Sequence, residues 1–349
     1  MEVEPRKYRL RLLNGCDSRF LAVEFVAVDL TANDTEEGTP VKFWVIGADQ
    51  GLGPPSEEGL VVIGPAQRYD IIFDFRPFVN KRIIMKNTGG DQPFGGDIPG
   101  PQDYELTDRI MAFDVIVNET ESVADEWMPP AAVQSTESIL NTEPDKTRRI
   151  GLFEGHDQFG RLQPLLGTIG PAFDKDGKKI SYPCTDEYKN ACLAGKQMEG
   201  TQTWHAPTTE NIQLDAVEDW EIWNLSADAH PIHLHLVKFH LVKREYIKYD
   251  EAAIETDGEL EPEKIKDAKG DGTYFTDQQL VQHDGSLGEG YVAVNPIKDT
   301  ERGEIPESDY KHYVDKFPKD VVVALPGQIT TIRAKFDKPG RYNHHCHIL

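Results

Sequence analysis

The chain has 349 residues, enough for two β-rich units with separate cores. Its 60 acidic against 37 basic residues give a formal charge of -23, which repels polyanions and argues against nucleic acid or an anionic membrane surface as partner. No apolar run approaches the roughly 18 residues that a membrane-spanning helix needs.

At the N-terminus, Glu2, Glu4, Arg6 and Lys7 interrupt any basic-then-apolar pattern, so no secretion signal is read there. Short apolar runs bounded by Gly, Pro, Asn or Asp follow at residues 8–14, 20–30, 41–46, 60–63, 68–75, 82–86 and 109–117. They read as strands, and Tyr8, Leu10 and Leu12 alternate with Arg9 and Arg11 as a half-buried strand requires. No long amphipathic helical pattern intervenes, so the expected class is all-β, built from sandwiches.

A polar, Pro- and Glu-rich stretch reads as a linker at residues 119–147, dividing a first unit, 1–118, from a second, 148–349. The second unit carries two excursions, residues 174–200 and the charged residues 249–319, both expected at the surface. Residues 267–272 lack the full ligand series of a calcium loop and read as a turn. Of the four cysteines, Cys184 and Cys192 are open either to pairing across a loop or to remaining thiols.

The units resemble each other. Pro65, Gln67, Ile71 and Phe75 match Pro326, Gln328, Ile332 and Phe336 at one constant offset, and Asn14 and Asn224 each close a strand. Trp220 and Trp223 are expected to fill the second core.

Chemistry concentrates in the second unit. Residues 230–235 read His-Pro-Ile-His-Leu-His, and residues 345–347 read His-Cys-His. In an extended strand, side chains alternate between faces, so His233 and His235 share one face and His230 the other. By the same rule His345 and His347 project together and Cys346 projects away. If the two segments are neighbours, His230 meets Cys346 on one side while His233, His235, His345 and His347 gather on the other.

A thiolate with imidazole has the softness of a blue-copper site, and the imidazole-rich face suits a copper cluster; zinc, the competing metal, would normally close one tetrahedron. Carried across the repeat, His230, His233 and His235 fall opposite Phe20, Val23 and Phe25, and Cys346 opposite Met85, so the first unit is unarmed. His156, His205, His240, His283 and His312 are isolated and expected in surface or hydrogen-bonding roles. His344 has the parity of Cys346 and is expected nearby without binding metal.

These two motifs, together with Glu2 to Arg9, Ile46 to Gly51 and Pro65 to Ile72, resemble the multicopper oxidases, in particular the bacterial spore-coat laccase and bilirubin oxidase branch. The resemblance implies tandem cupredoxin-like, Greek-key sandwiches, with much of a second and nearly all of a third domain present. It implies that His230 and Cys346 bind a type 1 copper, His233 a type 2 copper, and His235, His345 and His347 a type 3 pair. Electrons would pass from an aromatic donor through Cys346 to His345 and His347, and dioxygen would be reduced to water. It also implies an extracellular, periplasmic or spore-coat setting.

Half of the family's copper-binding histidines are present, so the resemblance implies a segment of a longer oxidase, inactive alone and completed by a preceding cupredoxin domain. Alternatives are a non-catalytic copper-binding scaffold, or ligands supplied by a second polypeptide. Residues 226–229 are expected at the rim of a substrate pocket.

Overall fold

The computed structural model describes residues 1–32, 37–99, 107–117, 139–156, 162–169, 172–174, 176–181, 198, 200–202, 207–226, 228–247, 276–277, 280–281, 287–292 and 302–348. Their regular structure is β-strand apart from short 3-10 turns such as Arg76–Phe78 and Lys311–Tyr313, and the chain is all-β. Cys184, Cys192 and the stretch 267–272 lie outside the described residues, as does most of the expected linker.

Two sandwiches result. The first sets a six-stranded sheet containing Leu21–Asp29, Leu60–Ile63 and Lys81–Asn87 against a four-stranded sheet containing Lys7–Leu13 and Arg68–Asp74. Phe25, Phe43, Phe73 and Phe75 fill the space between, in tilted and edge-on contacts. The second sets a ten-stranded sheet containing Lys146–His156, Val217–Asn224 and Gln328–Lys335 against a three-stranded sheet of Val321–Ala324, His230–Leu234 and His344–Cys346.

The two sandwiches repeat one hydrogen-bonding plan. Lys7 to Leu13 pair with Asp74 to Arg68 in the same register as Val217 to Trp223 pair with Lys335 to Ile329. Asn14 Nδ2 donates to the carbonyl of Ile63 (2.7 Å) and its Oδ1 accepts the Cys16 N–H (3.0 Å). Asn224 does the same to Ala324 (2.9 Å) and Ser226 (3.0 Å). Each asparagine is buried and ties a strand end to the opposite sheet, which is why this residue recurs.

After the asparagine the copies drift apart. Asn14 reaches forward to the Arg19 carbonyl, but Asn224 reaches the carbonyl of Asp228, one residue sooner. Leu21 pairs with Ile63 where His230 pairs with Ala324, so His230 stands in the place of Leu21 and His233 in that of Glu24. Likewise Val23 faces Asn87 where Ile232 faces Cys346, which puts Asn87 opposite the cysteine. The constant offset carried over from sequence is therefore wrong by one residue for the histidines and by two for the cysteine. The conclusion drawn from it stands, since Leu21, Glu24, Val26 and Asn87 offer neither imidazole nor thiol.

Two further expectations change. Residues 302–319, read as part of a solvated excursion, bury Ile305, Tyr313, Val314, Phe317 and Lys319. Phe317 and Val314 enter the first sandwich's core, and Tyr313, Val323 and Leu325 join Phe20, Val62 and Phe94 in a cluster spanning both units. Of the two tryptophans expected in the second core, Trp220 packs inside it and Trp223 points the opposite way, as three-residue spacing on a strand demands. There it is buried beneath the guanidinium groups of Arg149 and Arg302 and donates Nε1–H to Glu221.

Replacing Asn14 by alanine would leave the buried Ile63 carbonyl without its donor. A loss of about 2–4 kcal/mol is expected in urea unfolding; a loss below the error of the measurement would contradict the role assigned to this side chain.

Candidate metal centre

The strand His230–Leu234 is hydrogen-bonded along both edges, by Val321–Ala324 on one side and His344–Cys346 on the other, both antiparallel. Residues directly opposite share a face. His233 faces His345 and Ile232 faces Cys346, so the sulfur lies on the side of His230 and the flanking histidines on the side of His233. The sequence-level sorting by alternation matches this arrangement.

On the first side, Cys346 Sγ is 3.5 Å from His230 Nδ1. His230 is held from behind, with Nε2 2.6 Å from Ser226 Oγ. Asn224 Oδ1 and the Asp228 carbonyl, both acceptors only, take the single hydroxyl proton of Ser226. Ser226 Oγ is thereby left to accept Nε2–H, and the Nδ1 lone pair of His230 faces the thiol. Burial lowers the His230 pKa to about 4, which keeps the ring neutral. Burial also pushes the Cys346 thiol up to about 11, against backbone donation from Ile348 and His347. Without a cation the sulfur keeps its proton, and a soft metal ion would replace it.

On the second side, His233, His345 and His347 bring donor atoms within 4.8 Å of one another. His235, just beyond the strand where Leu236 takes a φ of 66°, sits with Nε2 3.0 Å from His345 Nε2. His345 Nδ1 donates to the Cys346 carbonyl (2.9 Å) and His233 Nδ1 donates to the Asp320 carbonyl (2.8 Å), so both rings aim Nε2 at the cluster. Burial, then the neighbouring His345 and His233, lowers the His347 pKa to about 4. Imidazole nitrogens crowded this closely, with the Asp320 carboxylate 3.8 Å behind His233 Nδ1 rather than among the converging Nε2 atoms, form a metal-ligand set, and the donors suit copper on both sides.

His344 lies on the Cys346 side and packs edge-on against Trp220, 5.4 Å between ring centres. A cavity of about 970 Å³ opens beside this side, its walls including Leu152, Trp220, His230, Phe336, His344 and Cys346. Of residues 226–229, expected at its rim, Ala227 lies outside the described residues, and Ser226, Asp228 and Ala229 are not in its wall: Ser226 and Ala229 are buried, Ser226 directly behind His230. The backing role of Ser226 had a signal in the repeat, since Cys16 occupies the matching position after Asn14. His240 and His312 lie half-buried on other elements, and His205, His283 and the side chain of His156 are outside the described residues.

The multicopper oxidase family model matches residues 180–267 and 294–349, which hold every candidate donor. The chain belongs to the multicopper oxidase family. It is 28% identical over 353 residues to a laccase of Bacillus subtilis, covering 100% of this chain and 49% of that protein. It is 31% identical over 246 residues to a bilirubin oxidase of Albifimbria verrucaria, covering 69% of this chain and 34% of that protein. A multicopper oxidase variant from Aquifex aeolicus superposes with a TM-score of 0.52 at 21% identity, covering 100% of this chain and 54% of that one, which supports the tandem cupredoxin-like fold. The chain spans about half the length of the curated relatives it matches. Membership of this multicopper oxidase family implies copper as the metal.

The lowered histidines fix a pH dependence. Above 6.5 His230 is neutral whether the chain is folded or not; below it the unfolded chain takes up a proton that the folded chain refuses until about 4. Stability of the copper-free protein is therefore expected to fall as pH drops through that window, His230 contributing on the order of 2 kcal/mol by pH 4.5. Melting curves of wild type and His230→Gln should converge toward acid pH; parallel curves would rule this out.

Proposed function

We propose that the chain forms the type 1 copper site, apart from any further ligand, and one side of the trinuclear copper cluster of a laccase-like oxidase. The oxidase takes single electrons from phenolic or other aromatic donors and reduces dioxygen to water. The observation that carries this reading is the back-to-back arrangement at one residue: Cys346 Sγ faces His230 while His345 and His347, its covalent neighbours, face His233 and His235. In it His230 and Cys346 hold the type 1 copper, His233 the type 2, and His235, His345 and His347 the type 3 pair. Residues 1–118 form a ligand-free cupredoxin unit, 119–147 a connection, and 148–349 the copper-bearing unit; a further cupredoxin domain completes the cluster.

Copper, when bound, supplies one-electron redox chemistry beside the thiolate and dioxygen reduction among the imidazoles. The chain's own residues do the positioning. Ser226 locks the tautomer of His230, and the Ile348 N–H donates to Cys346 Sγ at 3.3 Å, moderating the electron density of the sulfur. The hydrogen bond from His345 Nδ1 to the Cys346 carbonyl joins the two sides by a short path in addition to the covalent one. The mostly apolar cavity against Cys346, with Trp220, Phe336 and Tyr342 in its wall beside polar groups such as Glu210 and Arg341, suits a flat aromatic donor.

Titration of the purified chain with copper is expected to give the intense blue thiolate absorption, abolished in Cys346→Ser and reduced in His230→Gln. A colourless wild-type chain with copper bound elsewhere would sink the reading. A second reading, copper binding without turnover, needs only the donors that the described residues supply. Oxygen uptake with a phenolic donor, measured on the chain joined to a cupredoxin domain that supplies the remaining ligands, separates the two: uptake supports the oxidase, and bound copper without uptake supports the second reading.

A further inference from the structure

The stretches of the first sandwich around Asp49 and Arg68 contain no metal donor cluster, yet they converge on the imidazole side of the second. Arg68 Nη1 and Nη2 each donate to one carboxylate oxygen of Asp320, both at 2.8 Å, a two-pronged contact. Gln50 Nε2 donates to the same carboxylate. Asp49 accepts the Arg68 N–H at 2.7 Å with one oxygen, and with the other the N–H groups of Asp320 and Val321 at 3.3 and 3.2 Å. Gln67 Nε2 donates to the Val321 carbonyl at 3.1 Å. Both side chain and backbone of Asp320 are thus fixed from the other unit. Its carbonyl accepts the Leu234 N–H at 3.0 Å and His233 Nδ1–H at 2.8 Å.

We propose that Arg68 and Asp49 are positioning residues for the imidazole cluster: they set the Asp320 peptide, whose carbonyl selects the Nδ1–H form of His233 and aims its Nε2 at the metal. The part concerning metal rests on the oxidase reading above; the part concerning the histidine does not. The first sandwich, though unarmed, then tunes a ligand it does not contain. A ring whose partner carbonyl tilts away loses both its orientation and its preferred tautomer, and outer contacts of this kind commonly change metal affinity by about 10–100-fold.

Side-chain nitrogen NMR on the copper-free full chain reads the tautomer directly. Wild type is expected to hold His233 in the Nδ1–H form, and Arg68→Gln to populate the Nε2–H form. Arg68→Lys keeps the charge but not the two-pronged contact and is expected to follow Arg68→Gln. Phe317→Ala loosens the same junction by losing apolar contact alone; it is expected to lower the melting temperature and leave the tautomer unchanged. In copper titration by chelator competition, Arg68→Gln is expected to weaken the imidazole-bound metal about tenfold or more while the blue absorption of the Cys346 side stays.

An unchanged His233 tautomer in Arg68→Gln overturns the proposal whatever copper does. So does an Arg68→Lys chain that matches wild type, or a Phe317→Ala chain that shifts the tautomer as much. A tautomer shift in a chain that takes up no copper keeps the clamp and removes the oxidase reading instead.

Discussion

Pairing of the strand His230–Leu234 on both edges is the constraint on which the site depends. A strand with one free edge can slip or twist, and a slip of one residue exchanges every side chain between faces. Here Val321–Ala324, buried along its whole length, and His344–Cys346 hold the register from both directions. The sulfur and His230 are therefore kept apart from His233, His235, His345 and His347 by one thickness of backbone. Two chemically distinct pockets arise from two short segments, and the peptide between them is common to both.

Around that strand the chain buries charge in unusual quantity, and the charges are matched. Glu218, Asp219 and Glu221 on one fully buried strand meet Arg148, Arg333 and Arg302. Lys319 and Arg244, with no exposed side-chain surface, meet Asp315, and Lys319 also donates to the Tyr69 hydroxyl at 3.0 Å. Such pairs add little net stability over apolar replacements, but breaking one leaves a buried charge stranded. Their effect here is geometric. They fix the backbone of residues 313–321, and with it the Asp320 carbonyl behind His233, as apolar packing alone would not.

Much of this was legible from residue identities. The strands, the repeat, the donor clusters and their division between faces followed from period-two alternation, a local property of extended backbone. The errors came where non-local geometry took over. The loop after Asn224 closes one residue sooner than its counterpart, so the carried-over alignment drifted. Residues 302–319 look solvated by composition and are drawn inward because partners distant in sequence neutralise Asp315 and Lys319. Trp223 reads as core by type, but its parity sends it to the opposite face, where guanidinium groups cover it.

The sequence by itself determined the donor chemistry: an isolated thiol between two imidazoles, a second group of three histidines, and alternation that sorts them. It contained no statement of which strands would lie side by side. His230 and Cys346 are 116 residues apart, and their approach depends on the pairing of three strands and the packing of two sheets. The clamp from Arg68 and Asp49 to Asp320 is further still from local rules, since it spans two sandwiches. Contacts of that kind are set by the sum of burial and pairing across the whole fold, and only the tertiary structure decides them.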